Sequence, residues 1–201
     1  MKDQRIAILL LAAGASTRMG SIKQLLPWKN QLLINHMIAL SAASGCDDVL
    51  VVLGAHANSI IKALDRGNPF SFVLNPAWEE GLGATISFGV KELLGRPQKP
   101  DAILILLCDQ PLVDKEYLGE MMHNFRGGHG LVATNYGKNL GVPALFGSDY
   151  FEALKELNSQ YGAKDLLRQN RESCHILDAG EKVGDIDTPA DYKRIRDQGE
   201  N

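Results

Sequence analysis

The chain has 201 residues, 45% of them apolar and 22% charged, and a formal net charge of −3. That balance fits one globular domain over residues 1–201 with one sizeable core. With no basic stripe to offset the acidic excess, it excludes general attraction to nucleic acid or a membrane surface. The longest apolar run, Ile6 to Ala13, is far shorter than the roughly 20 residues of a membrane span, and Arg5 makes it a poor signal peptide, so a cytoplasmic protein is expected. Cys46, Cys108 and Cys174 are odd in number and widely spaced, which suggests neither a disulfide framework nor a zinc site.

Hydrophobic patterning predicts strand and helix in alternation. The first half reads as strand Ile6–Leu11, helix Leu32–Ser44, strand Val49–Leu53, helix Ser59–Leu64, strand Ser71–Leu74, helix Leu82–Leu94 and strand Ala102–Leu107. After helix Lys115–Phe125 come strands Leu131–Thr134 and Pro143–Phe146, helices Ser148–Leu157 and Ala163–Asn170, strand Cys174–Leu177 and helix Pro189–Gln198. This alternation implies a three-layer α/β fold, a mostly parallel central sheet covered by helices on both faces. The continuously apolar runs 49–53 and 103–107 mark central strands, and ligands are expected beyond the carboxyl ends of such strands.

One of those ends carries the most informative segment. Residues Leu11 to Pro27 read Leu-Ala-Ala-Gly-Ala-Ser-Thr-Arg-Met-Gly-Ser-Ile-Lys-Gln-Leu-Leu-Pro, a loop of small residues with Arg18 and Lys23 and no acid. Small side chains at Ala12, Ala13 and Gly14 let backbone N–H groups approach a phosphate, and Arg18 and Lys23 supply the positive charge that a triphosphate calls for. A P-loop is excluded because five residues, not four, separate Gly14 from Gly20, and Ser21 follows where Lys is required. Neither this loop nor Gly81-Leu82-Gly83 carries the dinucleotide fingerprint.

Three further segments have both a chemical and a structural reading. Asp109, in Leu107-Cys108-Asp109-Gln110-Pro111, stands at the mouth of the most apolar strand. There it would either hold Mg²⁺ beside substrate phosphates or cap the helix that follows and shape the turn. Gly81, Gly83 and Thr85 would either bring backbone and hydroxyl to a nucleotide base or simply start a helix. In Asp185-Ile186-Asp187-Thr188-Pro189, Thr188 or Asp187 is a good helix cap.

The first loop closely resembles the signature of the nucleotidyltransferases with a MobA-like domain, Leu-Ala-(Ala/Gly)-Gly-x-x-x-Arg-Met-Gly-x-x-Lys-x-Leu-Leu-Pro. With Ala13 as the second small residue it is more similar to the molybdenum cofactor cytidylyltransferase branch than to the guanylyltransferases. The resemblance extends from Leu9 to Tyr192 and implies a Rossmann-like nucleotide-diphospho-sugar transferase fold. It implies that Leu11 to Gly14 lie against the nucleotide, that Arg18 and Lys23 hold its phosphates, and that Gly81, Gly83 and Thr85 line its base. Cys-Asp-Gln-Pro resembles the family's metal motif, making Asp109 catalytic, and the segment from Asp185 resembles a terminal motif that returns Asp187 to the metal. Segments 140–146 and 161–167 resemble acceptor-pocket segments, although the leading Gly-Asp of the second is lost and only Gly162-Ala163 with Lys164 is kept.

The implied reaction is magnesium-dependent transfer of a nucleoside monophosphate from a triphosphate, CTP favoured, to a phosphorylated small molecule, molybdopterin first. GTP as donor, or a sugar or polyol phosphate as acceptor, are the alternatives, and a nucleotide- or pterin-binding maturation chaperone is the non-enzymatic one. A molybdoenzyme partner and a monomer or homodimer complete the expectations.

Overall fold

A computed structural model describes residues 4–199; the ends of the 1–201 span lie outside the described residues. Seven strands form one sheet and two more a small hairpin. In chain order they are β1 (Ile6–Ala12), the hairpin β2 (Pro27–Trp28) and β3 (Gln31–Leu32), helix α1 (Leu33–Ala43), β4 (Asp48–Leu53), α2 (Ala57–Ala63), β5 (Ser71–Leu74), α3 (Leu82–Leu94) and β6 (Ala102–Leu107). There follow α4 (Lys115–Arg126), β7 (Leu131–Tyr136), β8 (Asn139–Gly147), α5 (Phe151–Lys155), α6 (Ala163–Gln169), β9 (His175–Asp178) and α7 (Pro189–Gly199). The large sheet has the order β5-β4-β1-β6-β8-β7-β9. Strands β5, β4, β1 and β6 are parallel, β8 runs antiparallel to both β6 and β7, and β9 is parallel to β7.

The apolar run of β1 follows from its place in the middle. Ile6, Ile8, Leu10 and Ala12 enter one core with Ile34, Met37, Leu118 and Ile195, whereas Ala7, Leu9 and Leu11 enter the opposite core with Ile86, Val90 and Leu166. A strand that alternates into two apolar layers has no polar face left. Helices α1, α4 and α7 therefore cover one side and α3 and α6 the other, which is the expected three-layer arrangement. Among the described residues no helix is long and apolar enough to cross a membrane.

Register aligns the strand ends that matter. Leu11 pairs with Leu107 across β1 and β6, Ala12 pairs with Leu53 across β1 and β4, and Cys108 N–H donates to Leu11 O at 3.0 Å. The loops after β1, β4 and β6 thus emerge along one edge. Two expectations need correction. The segment predicted as helix 148–157 begins with a 3₁₀ turn at 148–150, leaving α5 only five residues. Strand β8 is also longer than predicted, reaching back to Asn139 and forming a hairpin with β7.

Candidate active site

The loop after β1 is folded back on itself by one buried amide. Gln24, 4% exposed, donates through Nε2 to Ala12 O at 3.0 Å and Gly14 O at 3.1 Å, while Ser16 Oγ receives Lys23 N–H at 3.1 Å. Ser16 sits in the left-handed region at φ 56°, a costly backbone setting for a residue with a side chain, held here by those bonds. His56, in the loop after β4, approaches Ala15 O at 3.0 Å through Nε2. Gln24 and His56 shape the loop, yet neither stands in a spacing that marks it in sequence.

Four charged side chains meet at the sheet edge. Lys23 Nζ lies 2.7 Å from Asp109 Oδ2 and 3.1 Å from Asp187 Oδ1, and the exposed Arg18 reaches Asp187 Oδ2 at 3.0 Å. Burial pushes the Asp109 carboxyl above its ordinary range, with the Lys23 ammonium offsetting part of that cost. Burial alone would lower Lys23, but Asp109 and then Asp187 hold its ammonium above the ordinary value. Two carboxylates 78 residues apart in number, Asp109 just past β6 and Asp187 in the loop before α7, therefore converge on one cation.

The capping readings of both acids have other owners. Helix α4 is capped by Asp114, whose carboxylate accepts Tyr117 N–H at 2.8 Å. At α7 the box is made by Thr188 and Asp191: Asp191 N–H donates to Thr188 Oγ1 at 3.2 Å and Thr188 N–H to Asp191 Oδ2 at 3.0 Å. Neither Asp109 nor Asp187 is spent on a helix end. Thr188→Ala should accordingly lower the melting temperature by about 2–4 °C, whereas Asp187→Asn should leave the cap contribution intact, as thermal unfolding of the two variants will show.

Two cavities open beside this cluster. The first, about 310 Å³, is lined by Leu11, Ala12, Ala13 and Gly14 together with Lys23, Asp109, Trp78, Gly81 and Thr85. Gly81 has φ 99°, a conformation that favours glycine, and the buried Thr85 hydroxyl donates to Gly81 O at 2.9 Å while receiving Asn75 Nδ2 at 3.2 Å. Gly83 departs from its expected place. It lines the second cavity, about 500 Å³, and a Cβ there would stand 2.1 Å from Asn158 O, so glycine lets α3 lie against the 158–161 loop. The second cavity shares Leu82 and Leu107 with the first and gathers Gln110, Tyr136, Lys164 and Asp185.

Among the described residues, no cluster of three or more His, Cys, Asp or Glu side chains is arranged to hold a metal ion alone. Two carboxylates aimed at one point suit an ion that completes its shell from substrate oxygens and water, the habit of Mg²⁺.

A mostly parallel sheet with its crevice at the strand ends and cations around a small-residue loop suits a phosphate-bearing ligand. Residues 8–174 match the MobA-like NTP transferase domain, and the chain belongs to that family. It is similar to the purine catabolism protein PucB of Bacillus subtilis, 29% identical over 98% of both chains. It is also similar to the molybdenum cofactor cytidylyltransferase of Escherichia coli, 23% identical over 93% of both. Among solved structures, Rv0371c of Mycobacterium tuberculosis superposes with a TM-score of 0.83 at 25% identity, covering 96% of this chain and 98% of that one. A second structure of that protein is a complex with manganese, with a TM-score of 0.75 at 22% identity over 96% and 99%.

Proposed function

We propose that this protein transfers a nucleoside monophosphate from a triphosphate, CTP by preference, to a phosphorylated acceptor, molybdopterin by preference, with Mg²⁺ as cofactor. The observation that carries this reading is the ion-paired cluster of Lys23, Asp109, Asp187 and Arg18, of which Lys23 and Asp109 line the cavity walled by the small-residue loop. The relative named as a molybdenum cofactor cytidylyltransferase supports the choice of nucleotide and acceptor.

In this reading an acceptor phosphate oxygen attacks the α-phosphorus, the bond from that phosphorus to the bridging oxygen breaks, and pyrophosphate leaves. Backbone N–H groups from Leu11 to Gly14 lie along the nucleotide, with Gly81 and Thr85 beside its base and Gly83 on the acceptor side. Arg18 and Lys23 hold the phosphates as fork and point charge, and Asp109 with Asp187 would hold the ion. Mg²⁺, when bound, neutralises phosphate charge and stabilises the leaving pyrophosphate. No covalent enzyme intermediate is required, so the protein contributes position and preorganised charge. We further propose that one domain acts in the cytoplasm, as monomer or homodimer, and hands its product to a molybdoenzyme.

Pyrophosphate release tests this directly. With Mg²⁺ and molybdopterin, CTP should support multiple turnovers at a rate well above that with the other three triphosphates. Equal, metal-independent binding of all four without release would contradict it and leave a nucleotide-binding chaperone. Release with glucose 1-phosphate but not with molybdopterin would move the acceptor to the sugar phosphates.

A further inference from the structure

The segments that carry Asp109 and Asp187 are joined by more than the ion pairs on Lys23. Ile186 N–H donates to Asp109 O at 3.0 Å, and Gln110 Nε2 donates to Asp185 Oδ1 at 2.8 Å. Asp109 thus meets Ile186 and Gln110 meets Asp185, so the two segments are fastened side by side in opposite directions. Gln110, 1% exposed, is anchored to the sheet as well, because its Nε2 lies 2.9 Å from Tyr136 Oη on β7 and 3.2 Å from Val142 O on β8. A carboxylate and a carbonyl can only accept, so the amide nitrogen must face them. Its Oε1 is buried and without a hydrogen-bond partner among the described residues, a cost that the side chain bears for donating on its other side.

The acids need such a fastening because they repel each other. Lys23 bridges Asp109 and Asp187, and in the proposed reaction that ammonium turns to the phosphates. Two like charges then remain close together until an ion neutralises them, and their segments separate unless a bond outside the charge exchange holds them. The bond from Gln110 to Asp185 has that place, since neither partner belongs to the cluster of Lys23, Arg18, Asp109 and Asp187. Ile186 is fully buried whereas Asp185 is exposed, so on the outer side of the segment this side-chain bond does the fastening.

We propose that Gln110 is a positioning residue that acts through Asp185: it holds the Asp187 segment beside Asp109, so that the two carboxylates keep the spacing a divalent ion needs once Lys23 has left them. The proposal rests on the reading of these two acids as the metal pair. Its rival is the charge of Asp185 itself. Burial raises the Asp109 carboxyl and the Asp185 charge adds to that rise, so Asp185 stands close enough to attract a cation directly.

Mn²⁺ affinity, measured by electron paramagnetic resonance with a non-hydrolysable CTP analogue at saturation, separates the bond from the charge. Gln110→Met keeps the Asp185 charge and removes the donor; Mn²⁺ affinity should fall about 10-fold, the lower end for groups that orient metal ligands. Affinity for the analogue without metal should stay within about 2-fold. Asp185→Ala should show the same loss, and the double variant no more than either single one, because both break one bond. Asp185→Asn removes the charge but keeps an oxygen for Gln110, and should remain within about 3-fold of wild type. Thermal melts identify the folded variants, and Gln110→Met and Asp185→Ala test the same bond if one of them fails to fold. Wild-type Mn²⁺ affinity in either folded variant overturns the proposal alone, as does an Asp185→Asn protein as weak as Asp185→Ala. A wild-type chain that binds the analogue but no Mn²⁺ overturns the metal reading of the acids and this proposal with it.

Discussion

Asp109→Asn should lower nucleotidyl transfer on the order of 10³-fold while leaving the protein folded, with a melting temperature within about 4 °C of wild type. The substitution is isosteric, so β6 and the cavity wall keep their packing. It removes a carboxylate whose burial is unfavourable and which is compensated by one ammonium, at 2.7 Å. Lys23 retains Asp187 at 3.1 Å, so the variant does not strand an unpaired cation. What disappears is a carboxylate charge that lines the cavity with the loop from Leu11 to Gly14. Steady-state pyrophosphate release together with a thermal melt separates this outcome from simple unfolding, and full activity in a folded Asp109→Asn protein would remove Asp109 from the catalytic machinery.

Lys23→Met should separate two properties that are usually lost together. Transfer should fall at least ~10²-fold, since a phosphate-binding cation is gone. Affinity for Mn²⁺ in the absence of nucleotide should instead rise about 10-fold or more. The Lys23 ammonium is the cation that both carboxylates face, and Arg18, largely exposed, touches only Asp187. Without Lys23, Asp109 and Asp187 keep their like charges close together with much less compensation, which a divalent ion relieves. In the wild-type chain an incoming ion competes with that ammonium, and the triphosphate offers the ammonium another partner, so metal and nucleotide should bind cooperatively. Electron paramagnetic resonance titration of Mn²⁺ reads both effects. Metal affinity unchanged or weaker in folded Lys23→Met would refute the competition.

The sequence carried the sheet interior well because burial on both faces leaves an unmistakable signature. Ile6 to Leu11 and Ala102 to Leu107 contain no polar position, and both are central strands. Strand direction was harder to read, since hydrophobic periodicity has none. The runs 131–134 and 143–146 gave no direction, although both strands extend toward each other and leave only Gly137 and Lys138 between them. A connection that short closes an antiparallel hairpin, whereas a parallel crossover needs about a dozen residues.

The candidate site was legible to a similar degree. Lys23 and Asp109 lie in compact local motifs, and the fold places them in contact. Gln24, Gln110 and Asp185 also lie inside motifs, but their contacts are not written in them. Gln24 matters because it reaches two carbonyls of its own loop, and Gln110 because Asp185, 75 positions later, is brought beside it. At α7 the cap belongs to Thr188 with Asp191, and Asp187 contributes instead to the ion pairs with Lys23 and Arg18. Gly83 shows a contact that the local motif does not announce, since a Cβ there would meet the backbone carbonyls of Asn158 and Tyr161.

The central claim is that Asp109 and Asp187 share one divalent ion with the phosphates of a bound triphosphate. Anomalous diffraction from crystals grown with Mn²⁺ and a non-hydrolysable CTP analogue tests it most directly. A single strong peak within coordination distance of both carboxylates and of an α-phosphate oxygen, with the Lys23 ammonium turned from the acids to the phosphates, is the predicted result. Bound nucleotide with Lys23 still bridging the two acids and no peak between them would contradict the account.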